Sequence, residues 1–237
     1  MVSKGVPTPT LPAPRKPPVS AWLNELEEKS AREFQRRTGI DLQTVISQIV
    51  EAGELQPGQR VIDVATSTAM MARHLAHVVS SKGKLIGVDS TKEKVELARL
   101  DAQSAGVGTK IEWRVAPANH LPFDPGTFDL VLCCLSFHQL PAEGFVKEAC
   151  RLLKPEGILL IATELAPKAS LSELRLRVRR SYYQLLGNSA EAEAHYYSSE
   201  EVTEMIRAAG FRQGVIRGLL PQRTKFARRF SLIKAVK

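Results

Sequence analysis

Cysteine is scarce: Cys133 and Cys134 are adjacent and Cys150 stands apart in a chain of 237 residues. Three thiols so placed exclude a disulfide framework and match no metal-ligand spacing. They read as small buried apolar side chains in a reducing compartment. Long hydrophobic runs are also missing, and no stretch approaches the ~18 apolar residues of a membrane helix. Acidic residues are absent before Glu25, where Lys4, Arg15 and Lys16 are the charged side chains. That pattern admits an organelle-targeting segment, but such segments form amphipathic helices, and Pro7, Pro9, Pro12, Pro14, Pro17 and Pro18 block one here. Residues 1–20 are therefore expected to be an extended arm, and the location cytosolic. Hydrophobic residues at 43% and charged residues at 24% fit one globular domain, expected over residues 21–237.

The net charge of +8 is concentrated at one end: residues 167–237 hold 14 Lys+Arg against 6 Asp+Glu. A basic third of this kind attracts nucleic acid, membrane surfaces or anionic substrates, although solvated helix faces produce the same composition.

Helices and strands alternate beyond the arm. Ala21 to Arg37 reads as a polar helix anchored by Trp22, Leu23, Leu26 and Phe34. Leu42, Val45, Ile46, Ile49 and Val50 mark one face of a second helix, closed by the Pro57-Gly58 turn. Strands are expected at 60–64, 84–88, 110–115, 128–134 and 158–163, with helices over 70–80, from Ser90 to about 105, and over 142–153. This order predicts a parallel sheet covered by helices on both faces. Ser90 with Glu93, Ser170 with Glu173 and Ser198 with Glu201 have the spacing of capping boxes. Strand candidates at 214–219 and 230–236 complete the chain.

Open parallel sheets bind ligands beyond the carboxyl ends of their strands, where strand order reverses. Asp63 ends the first strand and Asp89 the second. A carboxylate there can accept both hydroxyls of a ribose, because its two oxygens have the needed spread.

Val61-Ile62-Asp63-Val64, Gly87-Val88-Asp89-Ser90, His120-Leu121-Pro122-Phe123-Asp124, Phe128-Asp129-Leu130-Val131, Leu152-Leu153-Lys154-Pro155-Glu156-Gly157 and Ala209-Gly210-Phe211 follow one another in the order of known signatures. The set resembles the ubiquinone/menaquinone-biosynthesis-like family of class I S-adenosylmethionine-dependent methyltransferases. The resemblance implies a Rossmann-like, seven-stranded, mostly parallel sheet whose last strand is antiparallel. It further implies a helical lid built from residues 21–53 and an insertion at 167–197, with S-adenosylmethionine as cofactor and a small-molecule methyl acceptor as partner. By the same resemblance Asp89, with Asp63 and Ser90 beside it, takes the ribose. The loop from Ala65 through Thr66, Ser67 and Thr68 to Met70 meets the methionine end; Ala118 and Asn119 flank the adenine; Cys134 and Leu135 close the pocket floor. No metal is implied.

Two departures stand out. The family's glycine-rich loop lets the backbone approach the ligand, whereas Ala65-Thr66-Ser67-Thr68-Ala69-Met70 contains no glycine. Where relatives carry Gly-Asp-Ala, this chain has Ala116-Pro117-Ala118. These changes motivate a rival reading, a catalytically inactive module that keeps the fold for binding or assembly. Arg175, Arg177, Arg179, Arg180, Arg223, Lys225, Arg228 and Arg229 motivate a third, a nucleic-acid methyltransferase. Methyl transfer from a sulfonium runs mostly on positioning. His138, just past strand four, is the candidate for acceptor contact or general base, with space-filling as the competing role. Tyr182, Tyr183, His195, Tyr196 and Tyr197 read mainly as packing within the insertion.

Overall fold

The computed structural model describes residues 28–29, 31–32, 34–36, 39–79, 82–166, 194–218 and 230–237. The arm at 1–20, the helix expected after Ser170, Tyr182, Tyr183 and the arginine-lysine cluster lie outside the described residues.

Seven strands form one sheet: β1 Arg60–Val64, β2 Lys84–Asp89, β3 Ile111–Val115, β4 Phe128–Cys134, β5 Leu153–Glu164, β6 Gln213–Gly218 and β7 Phe230–Val236. Their spatial order is β3-β2-β1-β4-β5-β7-β6. Only β7 opposes its neighbours, pairing antiparallel with β5 and β6, as the resemblance implies. Strand order reverses between β1 and β4. The expected ligand edge is therefore at Val64 and Cys134.

Alternation along the strands builds a core on each face. Val61, Leu130, Leu132, Leu160 and Ala162 pack under α1 (Leu42–Ala52), α2 (Met70–Val78) and α3 (Lys92–Ser104). Ile62, Val131, Cys133, Leu159 and Ile161 pack under α4 (Ala142–Leu152) and α5 (Ser199–Ala208). All three cysteines are buried, and burial pushes the Cys133 and Cys134 thiols well up. Residues 28–29, 31–32 and 34–36 are helical, and Phe34 meets Phe230 of β7 edge to face at 5.2 Å.

Several boundaries differ from expectation for local reasons. The helix after β2 starts at Lys92, capped by Thr91, whose hydroxyl accepts the Lys94 N–H at 3.4 Å. Ser90 forms no capping box with Glu93, because its N–H donates to Asp89 instead at 2.8 Å. Strand β5 begins at Leu153 rather than 158. Leu153 already pairs with Phe128, and Lys154 to Gly157 bulges out before pairing resumes at Ile158. Helix α2 stops at Val78, and a 3-10 turn, Gly108–Lys110, delays β3 to Ile111. The Ser198–Glu201 box forms as expected.

Gly87 of β2 is a close-approach glycine. A Cβ built on it would lie 2.3 Å from Cζ3 of Trp113, which covers it from β3. Gly87→Ala must displace that ring from the core, and overpacking of this kind destabilises by roughly 1–3 kcal/mol. A lower urea midpoint at unchanged m-value is expected, and an unchanged midpoint would show that the ring yields freely.

Candidate active site

Asp63 is the penultimate residue of β1 and Asp89 the last of the adjacent β2, and both are almost completely buried. The Thr66 hydroxyl, in the loop that follows β1, donates to Asp63 Oδ2 at 2.7 Å. Burial pushes the Asp63 carboxyl up to about 7, the Thr66 bond opposes that rise, and the Asp89 charge adds to it. Asp89 is held differently. Its Oδ2 accepts the Ser67 N–H at 3.0 Å, its Oδ1 accepts the Ser90 N–H at 2.8 Å, and Lys94 Nζ stands 3.6 Å from Oδ1. A carboxylate offers about four lone-pair positions. Oδ2 keeps a further position for an incoming hydroxyl, whereas Oδ1 also accepts the Ser90 hydroxyl at 3.4 Å, a long bond that a ligand hydroxyl could replace.

The glycine-free loop between β1 and α2 takes a path that glycine ordinarily supplies. Ala65, Ser67 and Ala69 have φ of 58°, 50° and 59°, so alternate residues are left-handed. L-residues adopt that region at a penalty of roughly 1–2 kcal/mol each. Local hydrogen bonds hold it in place: Thr66 N–H to Val88 O at 3.0 Å, Ala69 N–H to Thr66 O at 2.9 Å, Ser67 N–H to Asp89, and Thr66 Oγ to Asp63. From across the strand reversal, the Ser136 hydroxyl donates to Ala65 O at 3.3 Å. Within this loop Thr66 and Ala69 are buried, Ala65 and Thr68 half-buried, and Ser67 exposed.

The remaining expected residues arrive from β3 and β4. Ala116 N–H donates to Asp89 O at 2.9 Å, starting the third loop against the ribose candidate. Ala118 is buried and Asn119 exposed, with Asn119 Cβ 2.8 Å from where a Cβ on Gly144 of α4 would lie. Cys134 is buried at the end of β4. Leu135 follows in the left-handed region at φ 61°, its N–H donating to Ala162 O at 2.8 Å.

His138 lies in the 3-10 turn Phe137–Gln139, two residues past Ser136. Its ring stacks on Tyr196 at 4.9 Å and 7° between planes, and the His195 N–H donates to its carbonyl at 2.7 Å. Tyr197 packs against Phe137 at 5.5 Å. Tyr196 and Tyr197 thus pack on the turn after β4 and not only within their own segment.

Sequence reasoning passed over Glu148 and Arg151. Glu148 accepts the Leu121 N–H at 2.7 Å, while Arg151 donates to Phe123 O at 2.9 Å and Leu121 O at 3.1 Å. Their own ion pair, 2.7 Å apart, holds the Glu148 carboxyl below the usual carboxylate range. The i,i+3 spacing on α4 showed that they could pair, but nothing local showed the loop they clamp. A cleft of about 650 Å³ opens beside this clamp, lined by Arg60, Phe123, Asp124 and Thr127. It sits at the amino ends of β1 and β4, away from Asp63 and Asp89. Among the described residues, no group of three His, Cys, Asp or Glu could hold a metal ion, and no helix is long and apolar enough to cross a membrane.

Residues 62–161 match the family model described as "Methyltransferase domain". The chain is 33% identical over 116 residues to a ubiquinone/menaquinone biosynthesis C-methyltransferase of Geotalea uraniireducens, covering 48% of this chain and 49% of that relative. It is 28% identical over 172 residues to a ubiquinone biosynthesis O-methyltransferase of Bordetella avium, covering 71% and 68%. The chain thus spans about half the length of the first relative and two thirds of the second. A crystal structure of a SAM-dependent methyltransferase from Aquifex aeolicus superposes with a TM-score of 0.64 at 20% identity, covering 92% of this chain and 97% of that one. Residues 62–161 are thus similar to the methyltransferase-domain family, the chain is similar in sequence to two quinone-biosynthesis methyltransferases, and its seven-stranded fold is like that of a SAM-dependent methyltransferase.

Proposed function

We propose that this protein transfers a methyl group from S-adenosylmethionine to a small-molecule acceptor. The observation that carries this reading is Asp89: a buried carboxylate at the end of β2, beside the strand reversal, with a lone-pair position left on Oδ2 and only the long Ser90 hydroxyl bond to displace on Oδ1. The residues present fit the cofactor. Asp89 would accept its ribose hydroxyls, with Ser90 beside it and Asp63 supporting the loop through Thr66. Residues 65–68 would border its methionine end, Ala118 and Asn119 its adenine, and Cys134 and Leu135 the floor between.

Bound there, the cofactor supplies an electrophilic methyl on a sulfonium centre. What the chain itself must do is align the acceptor and, where the accepting atom carries a proton, remove it. We assign the second task to His138, which the Ser136–Ala65 bond ties to the cofactor loop and the Tyr196 stack holds flat. The half-buried rings of His138, Tyr196 and Tyr197, backed by the buried Phe137, offer a wall for a planar acceptor. A quinone-type ring is the acceptor class proposed, following the names of the two relatives.

Calorimetric titration with S-adenosylmethionine, and with its demethylated product S-adenosylhomocysteine, tests the cofactor. Saturable binding is expected, and absence of heat with both would end this reading. With a phenolic or quinol acceptor that turns over, His138→Gln is expected to lower kcat by about 100-fold or more while cofactor affinity stays unchanged. Equal kcat in the two proteins would confine His138 to packing.

A further inference from the structure

Three left-handed residues in a loop without glycine pose a question that the fold alone leaves open: which of their β-carbons does a ligand meet? The three positions are not equivalent. Ala69 is wholly buried at the start of α2, and Ala65 is half-buried with its carbonyl held by Ser136. Ser67 is exposed, and its own N–H is bonded to Asp89 Oδ2. Its methylene and hydroxyl therefore stand on the open rim within one hydrogen bond of the carboxylate assigned to the ribose.

We infer that Ser67 is the affinity-setting residue of this site, its side chain filling part of the space beside Asp89 that the methionine end of the cofactor must use. The inference rests on the cofactor reading above. Two physical effects would otherwise be confused here, steric bulk on the rim and backbone strain at positive φ. Glycine removes both, because it has no Cβ and enters the left-handed region freely. Asparagine separates them, since it is among the residues that tolerate this region best yet is larger than serine.

S-adenosylhomocysteine titrated into the wild-type protein, Ser67→Gly and Ser67→Asn decides the matter, with Tm recorded for each. Ser67→Gly is expected to bind about tenfold tighter and Ser67→Asn about tenfold weaker, a spread of the size that one or two buried heavy atoms produce. Both variants are expected to match or exceed the wild-type Tm, because both relieve the strained φ. Equal affinities in the three proteins, or tighter binding by both variants, would overturn the steric role and leave the cofactor reading intact. Weaker binding by Ser67→Gly would overturn it in favour of the hydroxyl as a ligand donor. No heat from any of the three, with Tm preserved, would remove the cofactor reading and this inference together.

Discussion

Asp89→Ala is expected to weaken binding of S-adenosylhomocysteine by about 100-fold or more. Two hydrogen bonds from ribose hydroxyls to a charged carboxylate are each worth roughly 1.5–3 kcal/mol, and their combined loss spans at least two decades in Kd. Alanine also leaves the Ser67 and Ser90 N–H groups without their acceptor, so the loop loses part of what holds its left-handed turns. Asp89→Asn distinguishes these contributions. An asparagine keeps one acceptor oxygen and occupies the same volume, but its amide nitrogen repels the second N–H or hydroxyl donor. Binding weakened by about tenfold, at a Tm close to wild type, is the expected outcome. Wild-type Kd in a folded Asp89→Ala protein would dismiss the ribose assignment outright.

The sheet was legible because its strands are apolar on both faces. Val61, Ile62 and Val64, or Leu130 to Cys134, have no polar side to place toward solvent, and only a central parallel sheet buries such runs. Asp63 and Asp89 were legible for the complementary reason, as acids ending apolar strands. The loop between them was not. Nothing in Ala65-Thr66-Ser67-Thr68-Ala69 announces positive φ, because that conformation is imposed by Asp89, 22 positions away, and Ser136, 71 positions away. The glycines' absence suggested a changed loop, whereas the chain keeps alternate left-handed residues and stabilises them with hydrogen bonds. The misplaced helix cap has the same origin. Ser90 has the right chemistry to cap, but its N–H is already committed to a buried carboxylate, and Thr91 takes over one residue later. The Tyr196–His138 stack depends on a segment returning to the β4 edge, which no local pattern encodes.

Asp63 sets an expected pH dependence of opposite sign to that of most structural carboxylates. Its pKa is raised in the folded protein from 3.8 to about 7, chiefly by burial. Below pH 3.8 both folded and unfolded chains hold the proton, and the stabilising contribution of the neutral buried acid is fully present. As pH climbs toward 7 the unfolded chain ionises while the folded one retains its proton, so stability falls with pH. Above about 7 both states are ionised and the slope vanishes. A shift of that size corresponds to about 4 kcal/mol across the window. Asp63→Asn keeps an acceptor for the Thr66 hydroxyl but has no proton to release. Urea unfolding of both proteins from pH 4 to 8 is therefore expected to give curves that converge at low pH and separate as pH rises, with the wild type losing ground. Parallel curves would mean that Asp63 is ionised at low pH even when folded. Thr66→Val should widen the separation, because the hydroxyl that favours the charged form is then gone, and Asp89→Asn should narrow it by removing the neighbouring negative charge. The direction of these two shifts tests whether the carboxylates at the ends of β1 and β2 share one electrostatic environment, as their adjacent strands require.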